Sequence, residues 1–176
     1  MKYIILFLFL LSISNFILLV DKIPLPVHIK KDNRKELISV ILKDLGIYNT
    51  KERNKLSDAI LLSADTINAS PMLIIAVMKT ESNFRTNVIS PKGYEGLMQT
   101  PTATMQFHDV DTLYGARILE EKLKYCNNDL MEALILYKGG GGGPAARRQA
   151  AQQAEEVYSL YTKLKSKYDK NKKEAQ

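Results

Sequence analysis

The sequence predicts an all-α protein whose helices pack around a common core. Three observations carry that expectation. Apolar residues recur at spacings of three, four and seven in successive segments, as along Leu130, Ala133, Leu134 and Tyr137. Helix-start signals precede those segments, the strongest being Ser70-Pro71, a capping residue followed by proline at the first helical position. No stretch shows the convincing apolar–polar alternation of a half-buried strand.

The elements follow in order. Pro24 and Pro26 make residues 21–31 an extended linker. Asn33 and Glu36 read as a capping pair for a helix with the apolar stripe Leu37, Val40, Ile41 and Leu45, ended by Gly46. Thr50 opens a second helix with Leu56, Ala59, Ile60, Ala64 and Ile67 on one face. The helix opened by Pro71 runs to about Asn83, and Pro91, Gly93 and Gly96 make residues 84–100 a structured loop. Thr100-Pro101 caps a short helix, and Asp111 caps another with Leu113, Ala116, Leu119 and Leu123 inward. Asp129 and Glu132 start the next helix. The five glycines Gly139 to Gly143 lack the Gly-Lys-Ser/Thr ending of a phosphate loop and read as a flexible connection. Pro144 then opens a long helix carrying Val157, Tyr161, Leu164 and Tyr168, and the lysine run at 163–173 reads as its solvated end.

With 176 residues, 45% apolar and 25% charged, the chain suits one domain with flanks, and disorder throughout is excluded. Its single cysteine cannot form an internal disulfide, and two histidines beside it make a structural zinc site a poor expectation. The net charge of +6 is unevenly placed. Residues 22–55 carry nine Lys/Arg against four acids, residues 56–143 seven against ten, and residues 144–176 eight against four. A nucleic-acid domain normally carries its basic face on the folded core. Basic flanks around an acidic centre point instead to an anionic surface such as lipid headgroups or a wall polymer.

Residues 1–20 hold an apolar stretch from Ile4 to Val20, interrupted by Ser12, Ser14 and Asn15. It lies at the short end of a membrane span, ~17–25 residues, and above a signal-peptide core of ~7–15. Ser12-Ile13-Ser14 offers a small-x-small cleavage site, so a cleaved signal and a retained anchor both stand. Either implies an extracytoplasmic protein, secreted or membrane-anchored. Lys22, Lys30, Lys31, Arg34 and Lys35 oppose that orientation, because positive charge after a span favours the cytoplasmic side.

Glu81 is the most informative single residue. Ile74, Val77, Met78 and Glu81 fall at i, i+3, i+4 and i+7, which places a carboxyl on the apolar face near a helix C-terminus. Burial and the negative end of the helix dipole both raise its pKa, and a carboxyl protonated near neutrality can serve as a general acid. On periodicity alone the alternative is equally open: the helix has turned by residue 81 and the side chain is solvated.

The following stretches change that balance. Glu81-Ser82-Asn83-Phe84, then Ser90-Pro91-Lys92-Gly93-Tyr94-Glu95-Gly96-Leu97-Met98-Gln99, then Ala133-Leu134-Ile135-Leu136-Tyr137 occur in that order. They resemble the lytic transglycosylase SLT family, whose pattern is E-S-x-F, S-x-x-G-x-x-G-L-M-Q and A-L-x-x-Y-N-x-G. The resemblance covers about residues 69–140 and implies a lysozyme-like helical domain over 56–143, between the basic linker and helix of 21–55 and the C-terminal helix and tail of 144–176. It implies cleavage of peptidoglycan between N-acetylmuramic acid and N-acetylglucosamine, leaving 1,6-anhydro ends, with no metal or cofactor. Glu81 would be the sole acid/base. Ser90 and Gln99 would hold substrate or position Glu81, Tyr137 would hydrogen-bond the acid, and Gly93 and Gly96 would let the loop backbone approach the sugar. Peptidoglycan would be the partner, with the membrane reached through the N-terminal segment, and nucleic acid would not.

The chain departs from the pattern at three places. Thr100 stands before Pro101 where an apolar residue is usual, Lys138 replaces the Asn after the tyrosine, and Asp111 replaces an Asn near a helix start. These departures keep a second class in play, a low-turnover wall-binding protein or part of an envelope-spanning assembly. A hydrolytic muramidase is a third reading, for which Glu95 is the nearby carboxylate. Other residues read plainly: Met72, Met78 and Met98 as packing, His108 with Asp109 and Asp111 as a solvated connector, and Cys126 as a core or helix-end residue. Phe84, Tyr94, Phe107 and Tyr114 fill the core by default, with sugar stacking as the alternative.

Overall fold

The computed structural model describes residues 33–101 and 107–174. The proline linker, the export segment and the helix expected after Pro101 lie outside the described residues. Six helices are present among the described residues: α1 (Arg34–Asp44), α2 (Thr50–Thr66), α3 (Pro71–Ser82), α4 (His108–Tyr125), α5 (Leu130–Tyr137) and α6 (Pro144–Glu174). No strand occurs among the described residues, and two isolated bridges, Ile89 to Glu95 and Glu95 to Thr100, pin the loop after α3. None of the described helices is long and apolar enough to cross a membrane.

Helix α3 is the axis of the fold. Every residue from Met72 to Met78 is buried, so this helix is apolar all round rather than amphipathic. Ser70 caps it by accepting from the Met72 N–H at 3.3 Å, and Pro71 fits the first turn, where no intrahelical donor is needed. Helices α2 and α6 pack against it, α4 lies on α2, α5 bridges α4 and α6, and α1 joins α2 to α6. From α6 the buried face is Ala150, Ala154, Val157, Leu164 and Tyr168.

Three expectations change. Asn33 makes no side-chain cap, and the buried stripe of α1 is Ile38, Ile41 and Leu42, with Val40 48% exposed. Asp111 does not cap α4, which begins three residues earlier after Phe107; Asp111 lies in the first turn and is buried. The glycine run is not a loose tether at its start. Gly139, at φ +89°, donates to Leu136 O (3.1 Å) and Gly140 to Ile135 O (2.8 Å), a paired C-terminal cap that ends α5 abruptly. A Cβ on Gly140 would meet Ile135 O at 2.7 Å, so glycine is required there.

Asn49 and Asp129 cap α2 and α5 through their side chains, accepting from the N–H groups of Glu52 (3.0 Å) and Glu132 (3.1 Å). His108 pairs with Glu52 at 2.7 Å and so ties the start of α4 to α2 instead of standing solvated. Cys126 is the C-cap residue of α4.

Candidate active site

A cleft of about 550 Å³ opens at the C-terminal end of α3. Its walls come from Glu81 on α3, the loop from Ser90 to Pro101, Ile118 and Lys122 on α4, Leu136 and Tyr137 on α5 with the capping Lys138, and Ala146, Gln149, Ala150 and Gln153 on α6. Helix α6 therefore supplies one wall, which the motifs gave no reason to expect.

Helix α3 stops here because Asn83 takes a left-handed conformation at φ +53°, a turn that asparagine tolerates. Phe84 follows at φ +62°, unusual for a bulky residue, and its ring is buried in the core. Two positive-φ residues in succession reverse the chain and bring the loop back over Glu81. Ser82 binds it there, its hydroxyl lying 2.9 Å from the Leu97 carbonyl.

Glu81 is 17% exposed, and its Oε1 lies 2.9 Å from Nζ of Lys138, itself only 6% exposed. Burial lifts the Glu81 carboxyl above its ordinary range, and the Lys138 ammonium draws it part of the way back. The buried alternative of the sequence reading is thus the one adopted. Lys138 also donates to Thr80 Oγ1 at 3.3 Å. In the sequence this lysine stands out only as a departure from the family pattern. A lysine at a helix end normally reaches solvent, and nothing local marks one that turns inward.

Tyr137 lines the cleft, but its hydroxyl donates to Met98 O at 2.9 Å, and the hydrogen-bond partner of Glu81 is Lys138. Burial holds the phenol well above its usual pKa, with the charges of Glu81 and Asp111 adding to the effect. Ser90 lines the cleft and accepts from the Tyr94 N–H at 3.0 Å, while Gln99 donates from Nε2 to Val88 O and Gly96 O, both at 3.0 Å. Both side chains thus brace the loop, with Gln99 itself at φ +50°.

Gly96 does not face the cleft. At φ +78°, a Cβ there would strike the Asp111 carboxylate, which accepts from the Leu97 N–H. Its smallness admits Asp111 to the loop rather than the loop to a sugar. Burial raises the Asp111 carboxyl above its ordinary range, with the Leu97 hydrogen bond opposing. Gly93, also at φ +78°, has open space around it.

Among the described residues Glu81 is the one carboxyl lining the cleft; Glu95 is occupied through its backbone with Thr100 and does not line it. Tyr94 lines the cleft and Phe84 belongs to the core, whereas Phe107 is exposed and Tyr114 lines a separate apolar depression with Leu62 and Val110. No group of three potential metal ligands occurs among the described residues.

The site is thus a largely buried carboxyl at the end of a central helix, under a glycine-bearing loop. The Transglycosylase SLT domain family matches residues 58–160, more than half of the chain, and the protein belongs to that family. Among solved structures it is similar to an inactive mutant of the lytic transglycosylase Slt from Pseudomonas aeruginosa, with a TM-score of 0.55 and 16% identity. The likeness covers 74% of this chain and 28% of that one, so the present chain spans less than a third of that protein. No curated protein matches the chain.

Proposed function

We propose that the protein is a peptidoglycan lytic transglycosylase with Glu81 as its single general acid and base. The observation that carries this reading is the position of Glu81: the one carboxyl among the described residues lining the cleft, largely buried, at the end of the central helix of an SLT-family domain.

In the proposed reaction, protonated Glu81 gives its proton to the oxygen joining C1 of N-acetylmuramic acid to N-acetylglucosamine, and that C1–O bond breaks. The carboxylate then takes the proton of the muramyl 6-hydroxyl as its oxygen bonds to C1. A 1,6-anhydro ring forms, no water is consumed, and Glu81 ends protonated as it began. No second carboxylate is needed to activate water, which agrees with a cleft lined by one among the described residues. Ser90, Gln99 and Tyr137 serve by holding the loop and the α5 wall; that Ser90, Tyr94 and Gln99 line the cleft supports a further role in touching glycan. The substrate locates the protein outside the cytoplasm, with residues 1–20 as signal or anchor.

A low-turnover wall-binding role, alone or within an envelope assembly, is the second reading, favoured by the Lys138 ammonium on Glu81. Purified peptidoglycan incubated with the protein separates the two. Mass spectrometry of the soluble products should show anhydro ends, one water lighter than reducing ends. Glu81→Gln should reduce their release at least ~100-fold, the low end for general acid catalysis. Wild-type protein that binds walls and releases no product would favour the second reading, and reducing ends would indicate hydrolysis.

A further inference from the structure

Resting on the transglycosylase reading of the cleft, we propose that Lys138 is a positioning residue that restrains Glu81: its ammonium, held on the carboxyl, favours the ionised form and so shifts cleavage to lower pH.

The geometry leaves Lys138 little freedom. Tyr137 ends α5, Lys138 is the residue that caps it, and the paired hydrogen bonds from Gly139 and Gly140 fix the backbone on its other side. Its stem is buried, and its Nζ sits between Glu81 Oε1 at 2.9 Å and Thr80 Oγ1 at 3.3 Å. Thr80 gives its own proton to Val77 O at 3.0 Å, so its oxygen is available to accept from Lys138. The ammonium is thereby held on the carboxyl by a neighbour in the same helix as Glu81.

Other charges around the carboxyl do not replace this contact. On α3, Lys79 turns away to Leu45 O and Asn83. From the loop and from α4, Lys92 and Lys122 line the cleft without an ion pair to Glu81 among the described residues, and Tyr94 lines it as well. From α5, Tyr137 gives its proton to Met98 O. Asp111, on α4, is committed to Leu97. The α6 wall is uncharged, made of Ala146, Gln149, Ala150 and Gln153.

The sign of the effect follows directly. A general acid must be protonated at the start of the reaction, and a cation in contact favours the ionised form. Burial pushes the other way. Removing the ammonium leaves burial unopposed, so Glu81 holds its proton to higher pH. At a given pH on the alkaline limb the wild-type protein would then cut glycan more slowly than a variant without the ammonium, and it would cut faster on acidification.

The test is the pH profile of kcat/KM for release of anhydro products, measured for wild type, Lys138→Met, Lys138→Asn and Lys138→Arg. A second readout is the carbon-13 NMR titration of the Glu81 carboxyl, assigned by its loss in Glu81→Gln. In the Met and Asn variants, the alkaline limb and the carboxyl midpoint should both rise by about one pH unit or more. On the falling limb of wild type, that corresponds to about a tenfold gain in rate. Lys138→Arg, which keeps the cation, should retain the wild-type limb. A midpoint that stays in place or falls when the charge is removed overturns the proposal, as does a neutral variant that keeps the wild-type limb. A midpoint that rises while no form releases anhydro product upholds the clamp and overturns the transglycosylase reading instead.

Discussion

At the scale of single residues, Glu81 and Lys138 have to be considered together. Taken alone, replacing a buried acid by its amide should leave folding unharmed. The Lys138 ammonium reverses that expectation, because Glu81→Gln strands a cation that is 6% exposed. Breaking a fully buried pair costs about 3–5 kcal/mol, and partial exposure of Glu81 brings the expected loss for Glu81→Gln to about 1–3 kcal/mol. Adding Lys138→Met removes the stranded charge, so the double variant should return to within about 1 kcal/mol of wild type. Urea denaturation of the two single variants and the double at neutral pH gives the full cycle. Strict additivity would mean that the pair has no energetic coupling. The acid itself was legible in the sequence through its helical spacing and the ordered motifs around it. Its partner was not, because the two residues meet only when α5 is laid beside the end of α3, and only tertiary packing decides which way a lysine at a helix end points.

At the scale of elements, short-range signals were legible where the interaction is itself short-range. Ser70 and Asp129 cap the helices they precede, each bonding an N–H two or three residues on. Asp111 looked like the same kind of signal and was not. Its carboxylate serves the Leu97 N–H in the preceding loop, a long-range contact that leaves no local trace. The stripe of α1 shifted to Ile38, Ile41 and Leu42 because α1 packs against both α2 and α6, which decides the inward face. The glycine run departs from expectation for a related reason: repeated glycine suggests looseness, yet individual positions differ. Gly140→Ala should destabilise the protein by about 1–3 kcal/mol, since the added carbon meets Ile135 O and Ile135 Cγ2 and the capped backbone cannot yield. Gly141→Ala, with open space around it, should change stability by no more than about 0.5 kcal/mol. Thermal melts of the two variants side by side check this, and equal melting points would mean that the cap contributes nothing.

At the scale of the whole molecule, α6 is part of the core. It packs on α1, α3 and α5, burying Ala150, Ala154, Val157, Leu164 and Tyr168, and it forms a wall of the cleft. Burying a valine or leucine side chain contributes about 1.5–3 kcal/mol, so two of these residues alone rival much of a typical net stability of about 5–15 kcal/mol. A chain ending at residue 143 should therefore fail to fold cooperatively, with loss of helical circular dichroism and rapid proteolysis across the remaining helices. A truncated chain that melts in one sharp transition would contradict that. The helical class and the order of the described elements were legible in the pattern of caps and apolar spacings. The dependence on α6 was not, because its sparse apolar residues, spread along a charged helix, do not announce what they cover.

The spaciousness around Gly141 has a practical consequence. Gly139, two residues earlier, lines the cleft, and Cys126 is the chain's one natural thiol. With Cys126 replaced by serine and Gly141 by cysteine, a single fluorescent dye can be attached just outside the capped turn, where it disturbs neither the helix end nor Glu81. Such a labelled protein would report the arrival of a glycan strand by a change in emission, whether or not the strand is subsequently cut.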